Sequence, residues 1–506
     1  MKFKRNIFSL LFLLFSLIAF CQEEEYDLII ENTQIIDGTG NKPYWGQVGI
    51  ADGKIAFIEK DTSLYFSAKK RIDAHGKVLS PGFIDTHAHG NPLKTPNFRN
   101  FLAMGVTTIC LGQDGGSPME KNLSPWMKKV DRANPSVNIA MFVGHNTLRK
   151  LSGTNFDTIP SEEDMEEMKL LLKNAFRDGV FGMSTGLEYN PGFYAESEEL
   201  RELAKVVGSQ NGIIMSHMRN EDDAFLETSI KELMEQGKYC PVHISHIKSV
   251  YGKGKARAKE ILQLIDSARA KGMQITADIY PYTASYTGIG ILFPHWAKQP
   301  NNYEQVLKTR RAELADFLRK KVNKRNGPEA TLIGSGPYKG KTLAEVAGQL
   351  KKPFEEVLID NIGPYGASGA YFVMDKELQK TLLKHPVINI CSDGSPSMNH
   401  PRGYGSFAKI IESFVLEEQL LSLEEAVHKM TGLPAKTLGL KERGLIKEGF
   451  KADILLFDPS EVKANATYEN PHHLATGFET VIVNGKIAKN DTEFTKNGYG
   501  EVLKKK

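Results

Sequence analysis

Eight times between residues 82 and 395 a short apolar run ends in polar residues and gives way to a longer, amphipathic stretch. The runs are GFIDTHAHG, GVTTICLGQDG, VNIAMFVGHN, VFGMSTGLEYN, GIIMSHMRNE, CPVHISHIK, MQITADIYPY and VINICSDGS. Segments such as SEEDMEEMKLLLKNAFRDG and KARAKEILQLIDSARAKG lie between them. Near-continuous apolar strands alternating with helices imply a parallel sheet covered by those helices. Eight such units predict a closed (β/α)8 TIM-like barrel over residues 81–440 in preference to an open, doubly wound sheet. The connection between ADIYPY and VINICSDG is too long for one crossover and predicts an insertion at about residues 287–385, after strand seven, over the C-terminal face.

A chain of 506 residues exceeds one ordinary core, so a second domain is expected. Residues 22–80 read as short strands punctuated by Asp37-Gly38 and Asp52-Gly53. GLIKEGFKADILLFDP and TVIVNGKIAKN repeat that texture within residues 441–506. The two ends therefore predict a small β-sandwich domain built from both termini.

Lys2, Lys4 and Arg5 precede IFSLLFLLFSLIAF, and the acidic QEEEYD follows. This predicts a secretory signal over residues 1–21 and an exported, periplasmic or cell-envelope protein. Cys21 offers a lipid-attachment site, but Phe20 before it opposes that reading, and a soluble protein after export is expected. Cys110, Cys240 and Cys391 each sit in or beside an apolar run and read as buried thiols rather than a disulfide framework. Lys+Arg 64 against Asp+Glu 61 leaves a charge of +3, and no basic stripe points to nucleic acid. Lys504–Lys506 reads as a solvated tail.

Chemistry-bearing residues collect where the strands end. His87 and His89 end strand one, Asp114 follows strand two, His145 strand three, and Ser184 and Glu188 strand four. His217 ends strand five, His246 and Lys248 strand six, and Asp393 strand eight. Barrel enzymes build their sites from these ends. Residues i and i+2 of a strand share a face, so His87 and His89 can hold one ion. Imidazole ligands favour zinc, with other divalent first-row metals as alternatives. GMSTG at 182–186 fits the G-x-S-x-G of a serine hydrolase, but Pro191-Gly192 opposes the helix that such an elbow needs. IGSGPYKGKT lacks the glycine spacing of a P-loop. A barrel that only binds would have lost ligands, whereas His87, His89, His217, His246 and Asp393 are all present.

PGFIDTHAH, SHMRNE, ISHIK, CSDG and the split β-domain resemble the amidohydrolase superfamily. STGLEYNPGFYA, ISHIKS, DIYPYTAS, HPRGYGSF and NPHHLATGFETVIVNG are similar, in order from about residue 26 to 490, to the N-acyl-D-amino-acid deacylases, or D-aminoacylases. The resemblance implies one or two Zn2+ ions held by His87 and His89 at one site and His217 and His246 at a tighter one, with Asp393 touching metal and moving protons. It implies Lys248 as the clamp on the substrate's α-carboxylate, with Tyr189, Arg219, Tyr280 and Arg402 as further substrate contacts. Where relatives carry a cysteine in GNCG, this chain has GQDG, with Asp114 at that place. The bridging ligand is then Glu188, the preferred choice, or Asp114. The implied activity is hydrolysis of N-acyl-D-amino acids, or of dipeptides containing a D-residue, by metal-activated water. Another amidohydrolase reaction, on a cyclic amide or an amine, is the alternative, because fold does not fix substrate.

Overall fold

The computed structural model describes residues 25–505, so the expected signal segment and Cys21 lie outside the described residues. The eight apolar runs form strands at Phe83–Asp85, Val106–Leu111, Asn138–Gly144, Gly182–Gly186, Ile213–His217, Val242–Ile244, Ile275–Ile279 and Ile388–Ile390. They pair in sequence order, and every pairing is parallel. Strand eight meets strand one at their C-terminal ends. The Asp393 N–H donates to the His87 carbonyl (2.9 Å) and the His89 N–H to the Gly394 carbonyl (2.7 Å), which closes the barrel.

The helix Glu162–Asp178 shows how the sequence dictates the outer layer. Ser161 accepts from the Asp164 N–H, three acids occupy the first turn, and Gly179 ends the helix in the left-handed region. Met168, Leu171, Leu172, Ala175 and Phe176, spaced three and four apart, are its buried face.

The chain ends build one nine-stranded sheet, joined where Ile454–Phe457 pairs antiparallel with Val78–Pro81. The sheet curls back on itself: the Ile55 N–H donates to the Phe450 carbonyl (2.8 Å), and the Ala452 N–H to Gly53 (3.0 Å). Alternation along ILLF serves two cores. Ile454 and Leu456 pack into the β-domain, and Leu455 and Phe457 into the barrel.

One segment departs from the expected division. Val502–Leu503 leaves the β-domain and pairs in parallel with Ile139 and Ala140 of barrel strand three. A buried pair of apolar residues beside a lysine run is too short to read as a strand in sequence. The insertion carries its own antiparallel sheet of Ala284–Gly288, Ser368–Phe372 and Thr331–Ile333, with a separate core that includes Leu314, Leu318, Val322 and Tyr371. It reaches the barrel mouth, where Tyr189 Oη lies 3.2 Å from Thr287 Oγ1.

Candidate metal centre

Strands one, five, six and eight and the loop after strand two bring four histidines and two aspartates to one point. His87 Nε2 lies 3.2 Å from Asp114 Oδ1, and His89 Nε2 lies 3.3 Å from both Asp114 Oδ2 and Asp393 Oδ1. His246 Nε2 is 3.3 Å from Asp114 Oδ1 and 3.1 Å from His217 Nδ1. Three candidate donor sets emerge: His87–His89–Asp114–Asp393 and Asp114–His217–His246, which share Asp114, and Glu188–His217–Glu221. Glu188 touches only His217 among these histidines, at 3.1 Å. The geometry therefore places Asp114 between the two histidine pairs, while Glu188, the preferred bridging choice, is a donor beside His217 alone of the four histidines.

The site fits a metal on its own chemistry. The fully buried His87 makes no aligned hydrogen bond from either ring nitrogen, its Nε2 facing Asp114 Oδ1 only out of line at 3.2 Å, and such atoms are normally satisfied. Mixed imidazole and carboxylate donors are a zinc-type set. Burial opposes ionisation of Asp114, yet the His87, His246 and His89 imidazoles hold its carboxyl well below the usual carboxylate range. Burial likewise opposes ionisation of Asp393, and Arg402, His246, His89 and His87 overcome it. Arg402 Nη1 sits 2.7 Å from Asp393 Oδ2. Asp114, His246 and Asp393 all have positive φ, at 54, 38 and 48 degrees. Non-glycine residues adopt that region rarely, and such strain gathers at functional sites.

A cavity of about 280 Å³ opens onto this cluster. Lys248, Tyr189, Tyr280 and Arg402 line it. The Tyr280 ring lies under both cations, 4.7 Å from Arg402 Cζ and 6.0 Å from Lys248 Nζ. Burial opposes charge on Lys248, but the Glu221 carboxylate, 2.7 Å from its ammonium, keeps it protonated. Glu221 is a residue that sequence reasoning missed. It also lies 3.3 Å from His246 Nδ1 and so orients that ring from behind. Its one signal is its place four residues after His217 in SHMRNE.

Arg219 is a correction. Its guanidinium is taken up by Glu232 and by the carbonyls of Phe193 and Ala195, and it does not line the cavity. It braces the loop after strand four, outside the lining of the cavity. His145 is also structural, 2.6 Å from Glu199, which in turn pairs with Arg149. Ser184 is fully buried, with only the backbone of Gly112 and Gly115 as partners, so it has no base and no access to substrate. Cys110, Cys240 and Cys391 are free and buried.

Known proteins bear on this arrangement. The amidohydrolase family model matches residues 347–488. An N-acyl-D-glutamate deacylase of Alcaligenes xylosoxydans xylosoxydans is 32% identical over 489 residues, covering 92% of this chain and 93% of that protein. The crystal structure of N-acyl-D-glutamate deacylase from Bordetella bronchiseptica, complexed with zinc and a phosphonate inhibitor mimicking the tetrahedral intermediate, superposes with a TM-score of 0.82. It shares 30% identity, over 95% of this chain and all of that one. A D-aminoacylase structure described as having a binuclear metal centre is 31% identical, with a TM-score of 0.81 and coverage of 95% of this chain and 100% of that one. Full-length similarity at this level, on a barrel whose strand ends bring four histidines and two aspartates together, places the chain in the N-acyl-D-amino-acid deacylase family of metal-dependent amidohydrolases.

Proposed function

We propose that the protein hydrolyses the amide bond of N-acyl-D-amino acids, with zinc held by the strand-end cluster and the substrate's α-carboxylate held by the cations beside it. The observation that carries this is Asp114: one carboxylate set among His87, His89, His217 and His246, on the floor of a cavity whose wall presents Lys248 and Arg402. His87, His89 and Asp393 would hold one ion and His217 and His246 the other, with Asp114 shared. Zinc, when bound, supplies Lewis acidity: it makes water nucleophilic near neutral pH and polarises the amide carbonyl.

The chain's own residues do the rest. Asp393, ionised and steered by Arg402, accepts the proton of the attacking water and returns it to the departing amine. Lys248 fixes the α-carboxylate and so holds the scissile carbonyl in one orientation. Tyr280 spreads beneath both cations. The products are a carboxylic acid and a free D-amino acid. The cavity wall also presents Asp222, Arg325 and Ile291, so side-chain choice rests on a mixed polar and apolar surface. The basic and apolar start of the chain supports export to the periplasm or cell envelope, with Cys21 as an alternative site for a lipid.

A screen of the zinc-loaded protein against paired N-acetyl-D- and N-acetyl-L-amino acids tests the reading. Turnover of D-substrates in preference to L is expected; activity confined to L-substrates, or to cyclic amides, would overturn it. Lys248→Met is expected to raise KM by about 10- to 100-fold, the worth of a charge-assisted pair, with a smaller change in kcat. An unaltered KM would remove Lys248 from carboxylate binding.

A further inference from the structure

G-x-S-x-G at 182–186 is the one catalytic-looking motif that the metal centre leaves unused, and its surroundings give it a different task. The loop Gly112–Gly115, which carries Asp114, lies flat on the ends of strands three and four. A Cβ on Gly186 would come within 2.1 Å of the Asp114 carbonyl oxygen, one on Gly144 within 2.2 Å of the Gly115 carbonyl oxygen, and one on Gly112 within 2.1 Å of the Phe142 carbonyl oxygen. These contacts require glycine. Between them stands Ser184. Its hydroxyl donates to the Gly112 carbonyl and accepts from the Gly115 N–H (3.1 Å). One side chain thus ties both ends of the loop, on either side of Gln113 and Asp114. Gln113 adds a third tie, donating from Nε2 to the Thr86 carbonyl (3.1 Å) just past strand one.

We infer that Ser184 is a positioning residue for Asp114: its hydroxyl holds the loop in the left-handed turn that presents the carboxylate to all four histidines. The inference rests on the reading above that Asp114 holds zinc. The physical argument is a matter of satisfaction and strain. Asp114 sits at φ 54 degrees, a conformation that persists only when its surroundings over-determine it. Ser184 is fully buried, so no water replaces its hydroxyl when it is removed. A bare Gly112 carbonyl and Gly115 N–H would then seek partners by moving the loop. Groups that orient a ligand in this way commonly govern metal affinity by about 10- to 100-fold.

The test measures equilibrium zinc affinity of the full chain against a competing chelator for the wild type, Ser184→Ala, Ser184→Thr and Asp114→Asn, together with melting of the zinc-free proteins. Ser184→Ala is expected to bind zinc about 10- to 100-fold more weakly, and Ser184→Thr, which keeps the hydroxyl, to recover most of that loss. Activity lost by Ser184→Ala at limiting zinc is expected to return at saturating zinc. Should the alanine variant not fold, Ser184→Cys, near-isosteric with a weak donor, is measured in its place and is expected to bind zinc more weakly than wild type. Wild-type zinc affinity in the Ser184 variants, with Asp114→Asn weakened, overturns the role of Ser184 alone, even if the zinc-free protein melts lower. Wild-type affinity in Asp114→Asn overturns the assignment of Asp114 as a ligand, and this inference with it. Abolished turnover of Ser184→Ala at every zinc concentration with affinity unchanged would overturn the positioning role of Ser184 toward zinc.

Discussion

Replacing Asp393 by Asn is expected to lower kcat by about a thousandfold, within the range that positioned acid–base groups contribute, with bound zinc retained. Asparagine keeps the shape and one carbonyl oxygen, so a ligand atom still faces His87 and His89, 3.9 and 3.3 Å from Asp393 Oδ1 in the native protein. It loses the charge. In the native site that charge is secure: burial would neutralise the carboxyl, but Arg402 beside Oδ2 and the three nearby imidazoles hold it ionised. An amide cannot take a proton from water or hand one to an amine. The substitution also leaves the buried Arg402 without its anion, so some loss of stability is expected alongside the loss of rate. Steady-state kinetics on an N-acetyl-D-amino acid, with zinc content determined on the same sample, separates the two. Activity within a few-fold of wild type would move the proton to another carboxylate, and Asp114 or Glu221 would be the next to test.

The barrel was legible in sequence because its two periods are strong and repeat eight times. His87 and His89 were legible for a similar reason, since period-two geometry forces alternate residues to one face. His217, His246 and Asp393 could be singled out as strand-end residues, but only the family resemblance united them, because His246 lies 29 and Asp393 176 positions beyond His217, too far to share a local pattern. The bridging position resisted sequence reasoning. Glu188 and Asp114 both follow strands and both can bind metal. What separates them is a left-handed residue at 114 and three glycines that let its loop lie flat. Arg219 misled because it sits beside the His217 strand end in SHMRNE. Its direction is decided by Glu232, on the following helix Leu226–Gln236. Glu221 was missed for the converse reason: its partners, Lys248 and His246, lie on the next strand's loop.

Removing the His246 imidazole is expected to have the other large effect: His246→Ala should lose zinc from the Asp114–His217–His246 set and more than about a thousandfold in turnover, comparable to other losses of essential catalytic groups. The ring is fixed from three sides. Its backbone N–H donates to Asp278, its Nδ1 faces Glu221 and Lys248, and its Nε2 alone is left to meet Asp114 and His217. A residue held at φ 38 degrees with its ring so constrained has one free nitrogen to offer, and that nitrogen points at the shared carboxylate. Alanine leaves a cavity, a half-buried Asp114 with one fewer partner, and a Glu221–Lys248 pair without the imidazole between it and the site. Zinc stoichiometry read against turnover decides the matter. Loss of both assigns His246 to the metal on which hydrolysis depends. Retention of full zinc with lost turnover would make His246 a substrate contact instead. Retention of both would leave the chemistry to His87, His89 and Asp393.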